Sequence, residues 1–106
     1  MPGQTVQSKD DLLKLLLANR NKIEKFGTRR LGVFGSFSRN DQKATSDVDF
    51  LVEFKEGQKN YDNFIGLASL LEELLSRKVE LLTRESLSQY IGPSILNEAE
   101  YVIDTE

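Results

Sequence analysis

The chain contains no cysteine and no histidine among its 106 residues. Without cysteine there is no disulfide framework and no thiolate zinc site, and a reducing, cytoplasmic setting is compatible with the sequence. Without histidine the usual imidazole base, the usual zinc ligand and any phosphohistidine chemistry are excluded too. Chemical work is left to carboxylates, hydroxyls, lysine and arginine, and any bound metal should be a hard ion such as magnesium. An excess of positive charge is also missing. The chain has 14 Lys plus Arg against 17 Asp plus Glu, a net charge of −3, whereas a protein that tracks a phosphate backbone normally carries a basic stripe to displace counterions. A broad nucleic-acid footprint is therefore not expected. No apolar run approaches the length of a membrane span, and Met1-Pro2-Gly3-Gln4-Thr5 lacks the basic-then-apolar order of an export signal. The expectation is a soluble, unexported protein with no membrane partner.

The 39% of hydrophobic residues suffices for one modest core, so residues 1–106 read as a single domain with its core at about residues 8–103. Ser8, followed three residues later by Asp11, resembles a capping box. Leu12, Leu13, Leu16, Leu17 and Ile23 recur at helical spacing behind it, and Gly27 is a stop. Arg30-Leu31-Gly32-Val33-Phe34 suits a strand running into a Gly35-Ser36 turn, with a short helix or loop to follow. Residues 47–54 alternate: Val48, Phe50, Val52 and Phe54 share one face, Asp47, Asp49, Leu51 and Glu53 the other. After a polar loop around Gly57, Phe64, Ile65, Leu67, Ala68, Leu71, Leu74 and Leu75 predict a long helix ending at Ser76. Residues 78–83 predict another strand and residues 85–90 a short helix. Gly92-Pro93 predicts a break, and the end a last helix with a Tyr101-Val102-Ile103 strand. Strands alternating with helices imply a layered α/β or α+β domain.

Two features carry chemistry. Gly35-Ser36 closes one strand, and after ten residues Asp47-Val48-Asp49 opens the next. Carboxylates at i and i+2 on a strand point the same way and repel each other, so a divalent cation would stabilise the pair. A solvated strand edge is the plainer reading of Asp-x-Asp alone. Glycine lets the backbone approach a phosphate closely, a serine hydroxyl can bond a phosphate oxygen, and the N-terminus of a following helix would add unpaired N–H groups and a favourable dipole.

Taken together, Gly35-Ser36-Phe37-Ser38-Arg39 and Thr45-Ser46-Asp47-Val48-Asp49-Phe50-Leu51-Val52 resemble the nucleotidyltransferase signature of the DNA polymerase beta superfamily. The short chain and its helix-then-strand continuation most resemble the minimal nucleotidyltransferase (MNT) domains, a resemblance spanning roughly residues 8–103. It implies a small mixed β-sheet flanked by helices, with both Asp on a central strand and a third carboxylate on a neighbouring one. That third position falls on Glu80 of Lys78-Val79-Glu80-Leu81-Leu82-Thr83, where Asp is commoner in the family and Glu reaches one carbon farther.

The same resemblance implies in-line attack on the α-phosphorus of a nucleoside triphosphate, with release of pyrophosphate. Asp47 and Asp49 would hold two magnesium ions, and Glu80 would ligate the metal near the acceptor or act as base. Gly35, Ser36 and nearby N–H groups would hold the phosphates, with Ser38 and Arg39 as further candidates; a surface salt bridge is the plainer reading of Arg39. Lys22, Lys25, Arg29 and Arg30 read as a solvated helix end, and Asp62 as a cap-turn residue of the long helix. Tyr90 and Tyr101 read as core or interface packing, and Leu70, Leu71, Leu74 and Leu75 as a core stripe.

Small MNT proteins act as antitoxins beside HEPN-domain ribonuclease toxins. The resemblance therefore implies AMP transfer from ATP to a hydroxyl of a HEPN partner, in a homo- or hetero-oligomer. A chain of this length and acidity points to an acceptor supplied by a partner. The alternatives are a non-catalytic binding module that neutralises the HEPN protein by contact, and transfer to a small molecule as in aminoglycoside nucleotidyltransferases, which usually carry a further helical domain.

Overall fold

Ser8 opens the first helix as the sequence predicts, its Oγ accepting from the Asp11 N–H at 3.1 Å and satisfying one of the donors that every helix start leaves unpaired. The computed structural model describes residue 6, residues 8–43 and residues 46–105. Thr45 of the signature and residues 1–5 lie outside the described residues. Helix α1 spans Lys9–Ala18 and a short α2 spans Arg20–Glu24. Gly27, at φ 78°, then turns the chain through a left-handed conformation that costs glycine little.

Strand β1 (Thr28–Phe34), strand β2 (Val48–Phe54), helix α3 (Tyr61–Leu75), strand β3 (Val79–Thr83), helix α4 (Gly92–Glu98) and strand β4 (Glu100–Asp104) follow. The four strands lie in the order β3-β2-β1-β4. β1 is antiparallel to both β2 and β4, while β2 and β3 are parallel. That parallel pair needs a long connection, which the 15-residue α3 supplies. The result is the mixed sheet flanked by helices that the family resemblance implies. Asn60 starts α3 by accepting from the Asn63 N–H at 2.9 Å, so Asp62 is a first-turn residue, as read, beside a different cap.

The alternation of β2 separates the two faces of the sheet. Val48, Phe50 and Val52 are fully buried in the main core with Leu12, Leu16 and Ile23 of α1 and α2 and with Leu67, Leu71 and Leu75 of α3. These last three recur every fourth residue and form the buried stripe of an amphipathic helix; each burial stabilises the fold by about 2 kcal/mol. Leu70 and Leu74 pack against this core from its edge. Asp49, Leu51 and Glu53 project to the other face, where Phe34 and Leu51 are buried outside the main cluster.

Four expectations need correction. The short helix predicted over residues 85–90 is only a 3₁₀ turn at Arg84–Ser86. Its serines bind nearby backbone instead: Ser86 Oγ donates to Thr83 O at 2.8 Å and Ser88 Oγ accepts from the Ile91 N–H at 3.1 Å, which competes with helix formation. Gly92-Pro93 is not a break but the start of α4, where proline's missing N–H costs nothing. Tyr90 is 84% exposed, which overturns the core half of its core-or-interface reading. Arg29 and Arg30 are not a solvated helix end: they lie on β1 and both bond Glu53. Among the described residues no helix is long and apolar enough to cross a membrane.

Candidate active site

β1 delivers the chain to the site and β2 carries it away. Phe34, the last residue of β1, pairs with Asp49 in the antiparallel register, so the turn that follows rises beside that carboxylate. Gly35 sits at φ 75°, and a Cβ on it would lie 2.2 Å from Asp49 Oδ2. The left-handed conformation favours glycine here, and a Cβ would force the Asp49 carboxylate to shift. The turn is tied internally by the Arg39 N–H to Gly35 O at 3.1 Å and the Asp41 N–H to Ser36 O at 2.7 Å. Phe37, fully buried, anchors it in the core. Ser36 is half-buried beside Gly35.

On the other side of Asp49 stands Glu80. The two are direct partners in the parallel β2–β3 register, so a third carboxylate stands on the neighbouring strand, where the resemblance places it. Asp47 lies just before β2 and is exposed, Asp49 is half-buried, and Glu80 is exposed. The Asp49 carboxyl is pushed up to about 6, first by burial, then by the negative charges of Glu80 and Asp47 and a hydrogen bond with Glu80, with Arg39 opposing. Crowded like charges thus make ionised Asp49 costly unless a cation joins them. Among the described residues no three acidic side chains gather tightly enough to cage a metal on their own. The donors are hard oxygens, which fit an ion that completes its shell with phosphate oxygens and water, as magnesium characteristically does.

Ser38 and Arg39, the remaining sequence candidates, face α4. Ser38 Oγ donates to Glu98 O at 3.3 Å, and the Arg39 guanidinium pairs with the Glu98 carboxylate. Three residues that sequence reasoning missed hold the site in place. Lys9 Nζ donates to Ser38 O at 3.1 Å and pairs with Glu100 at 2.9 Å. Arg77, its guanidinium carbon 5.0 Å from the Phe37 ring centroid, donates to Ser46 O at 2.9 Å and so pins the segment leading into Asp47. Glu98 is the third. The sequence shows these charges but not their partners 29 to 91 residues away.

A glycine turn closed onto one carboxylate, with a second carboxylate two residues before it and a third opposite, suits binding of a metal-bound polyphosphate. The sequence matches the family described as Nucleotidyltransferase domain over residues 13–102. The chain belongs to this family. It is an enzyme of the nucleotidyltransferase class, similar to a Thermococcus cleftensis protein named protein adenylyltransferase MntA, at 39% identity over 94 residues, covering 88% of this chain and 94% of that one. A Methanocaldococcus jannaschii protein named as a candidate protein adenylyltransferase is 47% identical over 75 residues, covering 71% of this chain and 80% of that one. The solved structure of a candidate minimal nucleotidyltransferase superimposes with a TM-score of 0.80 at 28% identity, covering 92% of this chain and 98% of that one. The fold also recurs in the complex of a tri-AMPylated Shewanella oneidensis HEPN toxin with an MNT antitoxin, at a TM-score of 0.56 and 22% identity, covering 84% of this chain and 72% of that one.

Proposed function

We propose that this nucleotidyltransferase transfers AMP from ATP to a hydroxyl on a protein partner, and that the partner is a HEPN-domain toxin for which the chain serves as antitoxin. The observation that carries the proposal is the convergence of Gly35, Asp49 and Glu80, with Asp47 alongside. The partner is supported by the names of the relatives and by the HEPN complex that shares the fold.

Asp47 and Asp49 would hold magnesium, which lowers the pKa of an attacking hydroxyl and offsets phosphate charge when bound. Gly35 gives the triphosphate a backbone it can approach, and the Ser36 hydroxyl with nearby backbone N–H groups would hold the β- and γ-phosphates. Ser38 and Arg39 flank that position, Arg39 presenting a fork suited to phosphate oxygens. The acceptor hydroxyl oxygen forms a bond to the α-phosphorus as the bond to pyrophosphate breaks. Glu80, exposed beside Asp49, takes the hydroxyl proton or ligates the metal on the acceptor side.

Transfer of α-labelled ATP, with magnesium, onto the neighbouring HEPN protein tests this reading. Label on the partner with the wild type, and none with the Asp47→Asn/Asp49→Asn variant, is the expected result. No label from either while both still bind the HEPN protein would overturn it. Neutralisation by contact alone would then stand.

A further inference from the structure

The ion pair between Arg39 and Glu98 joins the phosphate turn to the end of α4. Arg39 also lies near enough to Asp49 for its charge to act there. Its side chain is 56% exposed and that of Glu98 28%, so water screens the pair and its contribution is small. A phosphate, with more charge and a geometry matched to the guanidinium fork, binds arginine more strongly than such a pair does. The turn does not depend on this contact alone: Ser38 Oγ reaches the Glu98 main-chain oxygen, Lys9 holds the Ser38 carbonyl, and the turn closes through its own backbone. Losing the Glu98 carboxylate therefore releases Arg39 without dismantling its support.

We propose that Glu98 competes with the nucleotide's phosphates for Arg39 and thereby sets nucleotide affinity. Glu98 is a positioning residue in this scheme, since it acts through Arg39 and touches no substrate. The inference rests on the phosphate-binding role assigned above to the turn. Its prediction runs against ordinary expectation, in that deleting an interaction next to the site improves binding.

The experiment is a titration of magnesium-ATP by calorimetry on the wild type, Glu98→Gln, Arg39→Gln and the double variant. Glu98→Gln should bind about twofold to fivefold more tightly, the range set by one screened ion pair. In the Arg39→Gln background the same substitution should change affinity by less than about 1.5-fold, because the competed-for group is gone. Unchanged or weaker binding by Glu98→Gln would overturn the proposal. So would an equal gain in both backgrounds, which would reveal plain charge repulsion of the triphosphate. No binding by any of the four proteins would overturn both this inference and the proposed function, whereas normal wild-type binding with an inert Glu98 would overturn this inference alone.

Discussion

Asp49 and Glu53 stand on the same face of the same strand, four residues and roughly 13 Å apart, yet their surroundings are opposite. Around Asp49 the nearest charges are carboxylates, those of Glu80 and Asp47, with Arg39 the opposing cation. Around Glu53, whose side chain is only 7% exposed, stand Arg29 at 3.0 Å, Arg30 at 3.5 Å and Arg84 at 3.8 Å. The Tyr101 hydroxyl also donates to it at 3.1 Å, and Arg30 lies 3.8 Å over the Tyr101 ring. One end of the strand keeps a carboxylate short of partners and the other surrounds one with them. The fold can satisfy a buried acid on this face, so the crowding at Asp49 is a local feature of the site that suits it to a cation.

If that contrast holds, substitutions at the two ends should separate activity from stability. The largest effect is on activity: Asp49→Asn should lower the rate of AMP transfer by about 1,000-fold without lowering the thermal midpoint. A variant that unfolds more easily than the wild type would show that Asp49 is structural after all. Next comes Glu53→Ala, which leaves Arg29, Arg30 and Arg84 facing one another. It should cost about 3 kcal/mol in denaturant unfolding, the lower end for breaking a buried pair because the arginines are partly exposed. Transfer by the folded fraction should stay near the wild-type rate. Gly35→Ala falls between the two classes. It forces an alanine into a left-handed conformation, costing about 1–2 kcal/mol, and drives its methyl into Asp49, so activity and stability should fall together.

A smaller effect concerns pH. In the unfolded chain Asp49 titrates at its ordinary value of 3.8, and in the folded chain at about 6. A raised carboxylate pKa means that the fold favours the protonated form. This group's contribution is therefore most favourable below about 4, declines as pH rises toward 6, and is fully lost above that. Thermal unfolding without divalent ions should show Asp49→Asn more stable than the wild type at pH 7.5, by on the order of 1 kcal/mol given the solvent screening of a half-exposed carboxylate. The difference should vanish near pH 4 and shrink on adding magnesium. A constant difference across that range would remove the charge crowding from the explanation.

The same contrast marks how far the sequence could be read. Strand β2 and helix α3 were legible because periods of two and near four are local properties of the chain. Gly35 and the Asp47/Asp49 pair stood out through their fixed spacing, whereas Glu80 was indicated only by the family resemblance, which implies a third carboxylate on the neighbouring strand. The polar segment between β3 and α4 was not legible, since its serines bond backbone only a few residues away in patterns that no apolar period betrays. Arg29 and Arg30 looked like a local cluster because their partner, Glu53, is brought opposite them only when β1 pairs with β2. Lys9, Arg77 and Glu98 belong to the same class: the residue type is visible, but the contact is made by the fold.

The smallest effect probes how the satisfied end is built. Tyr101 leans across Gly32, where an added Cβ would meet its ring at 3.2 Å, so the missing side chain at position 32 lets the aromatic lie close against β1. Burial first, and then its bond to Glu53, hold the Tyr101 hydroxyl protonated above its ordinary range. Tyr101→Phe keeps the ring beneath Arg30 and removes only the donated hydrogen bond. Because three arginines still serve Glu53, the loss should be about 0.5–1 kcal/mol, below the usual value for a bond to a charged group. In a Glu53→Gln background the same change should cost measurably less, the acceptor no longer being charged, and the difference between the two costs is the coupling. Equal costs in both backgrounds would mean that the arginines alone satisfy Glu53 and that Tyr101 contributes through its ring.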